Sequence, residues 1–172
     1  MMFISISTAF IGSICLAAAA IWAGIMDLTT MKIRNEIVIF LFAAYAALAP
    51  LAGFNYGAIA VSFLVALAVM VCMFVFFSLG WIGGGDAKLM AVVALWLGAD
   101  QTLAYVLSTT VLGGLLTLGI LIFRQMPLPV FLVKIPWIAR LHSLKEGIPY
   151  GVAIAAGALL ILPQTPWMTG VF

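Results

Sequence analysis

Long stretches without charge dominate this sequence and limit what it can fold into. Of its 172 residues, 67% are hydrophobic and only 7% are charged. A soluble domain of this length cannot cover its surface with so few polar side chains. Several of the stretches approach the roughly 17–25 residues that a helix needs to cross a bilayer. The sequence therefore predicts an all-α, polytopic integral membrane protein with no soluble domain.

Six apolar runs are candidate transmembrane helices, of which the fourth is short. They cover residues 4–26, 37–53, 59–80, 87–99, 102–123 and 148–162. The first run contains four consecutive alanines, a feature that cleavable signal peptides can share. However, no Lys or Arg precedes it and it is long enough to span, so we expect it to remain as a helix.

The basic residues predict how these helices are oriented. When the six runs are folded up and down, every Lys and Arg falls in a connection on the same side. These residues are Lys32, Arg34, Lys88, Arg124, Lys134, Arg140 and Lys145. The connections at 51–58 and 100–101, on the other side, contain none. The positive-inside rule then places the basic side in the cytoplasm and both termini outside.

The longest connection, at 124–147, mixes apolar residues with spaced cations and three prolines. We expect this segment to lie in the membrane interface. There Trp137 would reach headgroup depth, and its cations would point toward water. The sequence leaves open whether it is a lid, a docking surface for a substrate or only an anchor.

Two carboxylates fall on the basic side and close to the membrane. Asp27 follows the first run and Asp86 precedes the fourth, whereas Glu36 and Glu146 lie farther along charged loops. Asp100 belongs to the opposite face. Two carboxyl groups in close contact share one proton, so one can take a proton from water while the other polarises a carbonyl. This is the chemistry by which aspartic proteases hydrolyse peptides.

Three glycines, Gly83, Gly84 and Gly85, stand directly before Asp86. Glycines let a backbone approach a substrate closely and adopt positive φ, and a glycine-rich edge can pair with an extended peptide. A second interpretation is a tight turn in which Asp86 caps the next helix. For Asp27 alone, a plain carboxylate at a helix end is the simpler interpretation.

Other kinds of site have little support in the sequence. His142 is the only histidine, and Cys15 and Cys72 have no CxxC spacing. We therefore expect no metal and no cofactor, and we expect both cysteines to pack as small apolar side chains. The net charge of +2 gives no indication of a nucleic-acid partner.

The residues at 83–88, Gly-Gly-Gly-Asp-Ala-Lys, resemble the GxGD motif of the type IV prepilin peptidases, which are intramembrane aspartic proteases. In that family the other aspartate closes the first core helix and precedes a short basic stretch ending in Ile-Pro-Asn. This chain matches that element at Asp27, Ile33 and Asn35 but has Arg34 in place of the usual proline.

A third element, at 148–153, resembles the Pro-Tyr/Phe-Gly sequence that opens the last core helix of the family. The three elements occur in the family's order across nearly the whole chain. The resemblance implies that Asp27 and Asp86 are catalytic. It also implies that a set of small and ring-bearing residues shapes the substrate site: Gly83, Gly84, Gly85, Pro149, Tyr150 and Gly151.

The resemblance is closest to the short form found in tight-adherence (Flp-type) pilus systems. It implies an endopeptidase of the bacterial inner membrane, in one membrane-embedded domain over residues 1–172. Its substrates would be prepilins or pseudopilins, which lose a short basic leader on the cytoplasmic side. Long members of the family also methylate the new N-terminus with a domain that carries paired CxxC motifs. The sequence has no such motifs, so cleavage without N-methylation is implied.

Two alternatives stay open at this level. Presenilin-like and signal-peptide-peptidase-like enzymes also use GxGD, but they pair it with Tyr-Asp and Pro-Ala-Leu motifs. Here Met26 precedes Asp27, and the last helix opens with Pro-Tyr-Gly. The non-enzymatic alternative is a small transporter or an assembly subunit of a secretion or pilus machine, because carboxylates near broken helices also occur at ion sites.

Overall fold

A computed structural model describes residues 2–170, with side chains from Ser5 onward. This part of the chain forms eight α-helices and one 3-10 turn, with no strand. The long helices are α1 (Met2–Thr30), α2 (Asn35–Ala52), α3 (Tyr56–Ser78) and α4 (Gly84–Gln125). The shorter elements are α5 (Val130–Val133), α6 (Pro136–His142), α7 (Tyr150–Ile161), the 3-10 turn Leu162–Gln164 and α8 (Pro166–Thr169). The four long helices are long and apolar enough to cross a bilayer, and Tyr150–Gln164 is a shorter apolar segment.

A sharp bend at Gly98 divides α4 into two helical halves. Gly98 has φ 76° and ψ 179°, a backbone conformation that is almost restricted to glycine. The hydroxyl of Thr102 donates to the carbonyl of Gly98 at 2.6 Å and so supports the bend. Asp86 and Thr110 are equally far from Gly98 along the chain and line the same cavity, so the two halves lie side by side. The fourth and fifth predicted helices thus correspond to 84–97 and 99–125, which gives six apolar helical segments as predicted.

The first half of α4 is the centre of the bundle. Every residue at 87–97 except Lys88 is buried, and a helix that is apolar and buried all round belongs in the interior. By contrast, Ser62 is the one buried residue of α3 within the described chain. Many side chains of α3, including Cys72, are therefore exposed, and lipid is their expected solvent. The prediction that both cysteines pack as small apolar side chains is wrong for Cys72, which is exposed.

The end of α1 differs from the prediction. The helix continues past Asp27 to Thr30, so Asp27 lies in its last turn and not after its end. Met31 then leaves the helix with a φ of 55°, and its N–H still donates to the carbonyl of Asp27 at 2.8 Å. The carboxylate is thereby carried on regular helix, which fixes its direction more firmly than a loop would.

Candidate active site

Asp27 is buried, with 6% of its surface exposed, and its carboxylate points at the start of α7. The backbone N–H of Gly151 donates to Oδ2 of Asp27 at 2.7 Å. Gly151 is the second residue of α7, so this N–H is one of those that a helix leaves without an internal partner. A Cβ at Gly151 would lie 2.8 Å from Cβ and 2.9 Å from Oδ2 of Asp27. The close approach of α1 and α7 therefore requires glycine at this position.

Asp86 is the third residue of α4, and its carboxylate turns back onto the helix start. Oδ2 lies against the backbone of Gly83, the N-cap residue, in the manner of a capping box. Asp86 therefore caps the helix start from within the first turn, and Gly83 is the N-cap residue. Oδ1 is buried and has no hydrogen-bond partner among the described residues. Buried polar atoms normally have partners, so this oxygen is available to a bound molecule.

The structure brings Asp27 and Asp86 together at one end of the bundle. Their side chains are close enough for their charges to interact. The last turn of α1 supplies one carboxylate, and the first turn of the central helix supplies the other. Two carboxyl groups whose charges interact in a buried setting disfavour ionising together.

The glycines before Asp86 do not have the backbone that was predicted. Gly83 has φ −73° and ψ 146°, and Gly84 and Gly85 are helical, so the expected positive φ is wrong. Their lack of a side chain matters instead. A Cβ at Gly84 would lie 3.2 Å from the ring of Phe77, and a Cβ at Gly85 would lie 3.1 Å from Cβ of Ile33. These glycines let α3 and the α1–α2 connection pack closely on the start of α4. Of the three glycines before Asp86, only Gly83 has an extended backbone.

Pro149 and Tyr150 stand beside this pair at the start of α7. Pro149 is its buried N-cap residue. The ring of Tyr150 packs on Gly113, where a Cβ would lie 2.7 Å from Cε1, and its hydroxyl is 3.2 Å from Oγ1 of Thr117. Tyr150 and Asp86 line the same cavity. The start of α7 therefore meets Asp27 on one side and the surroundings of Asp86 on the other.

The connection between α1 and α2 is tied to the start of α4. Nζ of Lys88 donates to Oδ1 of Asn35 at 3.1 Å. Arg34 is the N-cap residue of α2 and has φ −74°, close to the value that proline imposes. The backbone of Arg34 therefore has a φ that the usual proline could also adopt. The exposed Arg34 side chain pairs with Glu36 at 2.8 Å.

Comparison with protein families is decisive at this point. The model of the type IV leader peptidase family matches residues 14–118, which include Asp27 and Asp86 but end before Pro149. The chain belongs to the type IV leader peptidase family. No curated protein and no solved structure matches it. The two carboxylates therefore belong to a leader peptidase that is embedded in the membrane.

Arg124 is a residue of this peptidase whose role the sequence did not reveal. Its guanidinium donates to the carbonyls of Leu141, Glu146 and Gly147 at 2.8, 3.0 and 2.8 Å. These bonds close the 124–147 segment into a loop and fix the chain two residues before Pro149. The sequence position of Arg124 predicts only a contribution to the orientation of the helices. No local pattern marks it, because its partners lie 17 to 23 residues away.

The basic side chains gather at the same end as the two aspartates. Lys88 reaches Asn35, and Nη1 of Arg140 donates to the carbonyl of Thr29 at 3.3 Å. Asp100 lies at the other end, where it lines a separate cavity of about 520 Å³ with Asn55. Within the described chain, no three His, Cys, Asp or Glu side chains come together as a metal site.

Proposed function

We propose that the protein is an intramembrane aspartic endopeptidase in which Asp27 and Asp86 together activate water. One carboxylate takes a proton from the water as it attacks the peptide carbonyl, and the other donates a proton to the carbonyl oxygen. The observation that carries this proposal is the placement of the two carboxylates at the same end of the bundle, near enough for their charges to interact. Oδ1 of Asp86 is buried there and has no hydrogen-bond partner among the described residues. The N–H of Gly151 holds the carboxylate of Asp27 in place.

The proposed substrates are prepilins or pseudopilins, including those of the tight-adherence (Flp) type, from which the enzyme removes a short basic leader. The whole chain, residues 1–172, serves as one membrane-embedded peptidase domain. The site opens at the end that carries the Lys and Arg contacts, and the positive-inside rule supports placing that end in the cytoplasm. In a bacterial inner membrane both termini would then lie outside. Pro149, Tyr150, Gly151 and the three glycines before Asp86 shape the site.

The proposed reaction ends with cleavage and does not methylate the new N-terminus. The mass of the mature pilin distinguishes the two outcomes, because a methyl group adds a fixed increment to its N-terminal peptide. An unmodified N-terminal peptide supports the proposal. A methylated one, formed in cells whose only prepilin peptidase is this chain, contradicts it.

The test of the aspartic pair is co-expression with a tight-adherence prepilin, with the leader followed by gel shift. Asp27→Asn and Asp86→Asn should each abolish processing, since an amide can neither take nor supply the proton. Asp100→Asn is the matched control at the other end of the bundle and should process normally. Normal processing by either of the first two variants would refute the pair. Loss of processing in the control would instead favour a role that spans the membrane, such as transport.

A further inference from the structure

A cavity of about 390 Å³ lies directly beside Asp86. It is lined by residues of α3, both halves of α4 and α7. We call it the Asp86 cavity, and its walls include Met73, Phe76, Met90, Val106, Tyr150 and Ile154. Its volume falls in the range of sites that bind small ligands or large side chains, roughly 300–1,000 Å³.

The Asp86 cavity extends from the two aspartates toward the interior of the bundle. Met90 lies one helical turn beyond Asp86 in α4, and Ile154 lies one turn beyond Tyr150 in α7. Both helices begin at the basic end and run away from it. The cavity is therefore on the membrane side of the carboxylates, away from the basic end.

The walls of the Asp86 cavity are mostly apolar, and two of its three hydroxyl groups are engaged within the protein. The hydroxyl of Thr110 donates to the carbonyl of Val106 at 2.8 Å, and that of Tyr150 pairs with Thr117. The hydroxyl of Thr109 packs against Gly157 and has no hydrogen-bond partner among the described residues. A pocket of this kind offers surface for a hydrocarbon side chain and little for a polar one.

We infer that the Asp86 cavity is a specificity pocket for a bulky apolar side chain on the substrate residue that follows the cleaved bond. The inference rests on the proposed function. A basic leader stays at the basic end, whereas the residues after the bond begin the substrate's apolar helix and enter the membrane. A pocket on the membrane side of Asp86 therefore faces the residue after the bond and not the one before it. An apolar pocket discriminates by size, by about 10- to 200-fold for each methylene group.

Gly114 allows this pocket to be filled without disturbing the aspartates. It lines the Asp86 cavity from the second half of α4, and a Cβ at this position would meet no atom within 4 Å. Gly119 lies on the same helical half and also has open space around its Cβ position, but it is not among the residues that line this cavity. The two glycines therefore make a matched pair of sites for the same substitution.

The experiment compares two versions of one prepilin that differ only in the residue after the cleaved bond, Phe in one and Ala in the other. Cleavage rates are measured with the full-length enzyme in lipid nanodiscs. Wild type should prefer the Phe substrate by at least about tenfold. Gly114→Leu should lower that preference at least tenfold, and Gly119→Leu should keep it. If Gly114→Leu does not accumulate in the membrane, Gly114→Val provides the same test with a smaller side chain.

A preference in Gly114→Leu or Gly114→Val that stays within twofold of wild type would overturn the inference while leaving the proposed function intact. An equal loss of preference in Gly119→Leu would overturn it as well, because the effect would then not belong to the Asp86 cavity. Failure of wild type to cleave either prepilin would overturn the proposed function, and the inference with it.

Discussion

Gly151→Ala should slow leader cleavage because it pushes α7 away from Asp27. The new Cβ would lie 2.8 to 3.0 Å from three atoms of the Asp27 side chain, closer than carbon and oxygen atoms pack. Either the carboxylate or the start of α7 must move, and the 2.7 Å bond from the Gly151 N–H lengthens or breaks. A hydrogen bond to a charged group contributes about 1.5–3 kcal/mol. If that contribution is lost from the transition state, kcat/KM falls roughly 10- to 150-fold.

The assay is the initial rate of leader removal by purified enzyme in lipid nanodiscs, with thermal unfolding followed on the same samples. Gly147→Ala is the control. Gly147 is only four residues from Gly151 in the sequence, but a Cβ at Gly147 would meet no atom within 4 Å. It should cleave within about twofold of wild type. A folded Gly151→Ala enzyme with a rate within threefold of wild type would refute the argument that contact between α1 and α7 positions Asp27.

Three further predictions follow from contacts outside the aspartic pair. Arg124→Lys keeps the charge but loses the planar guanidinium that reaches three carbonyls, so the cleavage rate should fall about tenfold. A normal rate would mean that Arg124 acts only through its charge. Gly98→Ala places a side chain in a glycine-only conformation and should lower the free energy of unfolding by about 1–3 kcal/mol; an unchanged denaturation midpoint would contradict the bend. Lys88→Met and Asn35→Ala should each lower the free energy of unfolding by about 0.5–1.5 kcal/mol in denaturant. The double variant should be no less stable than either single variant, whereas additive losses would show that the two side chains do not act together.

The helices were largely predictable because apolar runs and charged connections carry most of the information in a membrane protein. The sequence positions of Lys88, Arg124 and Arg140 predicted that these residues lie at the same end of the helix bundle. Their contacts in the structure place all three at the end that carries Asp27 and Asp86. Helix ends were less predictable. Asp27 was expected to end a helix because it is charged, but the last turn of α1 continues for three more residues.

The interior of the site depends on contacts between distant parts of the chain, and these have no local signature. The bond from Gly151 to Asp27 joins residues 124 positions apart, and only the family resemblance drew attention to Gly151. The run of glycines before Asp86 predicted unusual backbone angles, yet the structure uses their small size for packing. The Asp86 cavity is formed by four helical segments, so no single stretch of sequence could indicate it.

The central claim is that Asp27 and Asp86 work as one catalytic unit, and a double-mutant cycle tests it most directly. Single-turnover leader cleavage should be measured for wild type, Asp27→Asn, Asp86→Asn and the double variant. Loss of general acid–base catalysis costs about 10²–10⁴ in rate, and groups that act as a unit give losses that do not add. We expect each single variant to lose at least about 10²-fold and the double variant to be no slower than the slower single one. A double variant whose loss is the product of the two single losses would contradict the claim.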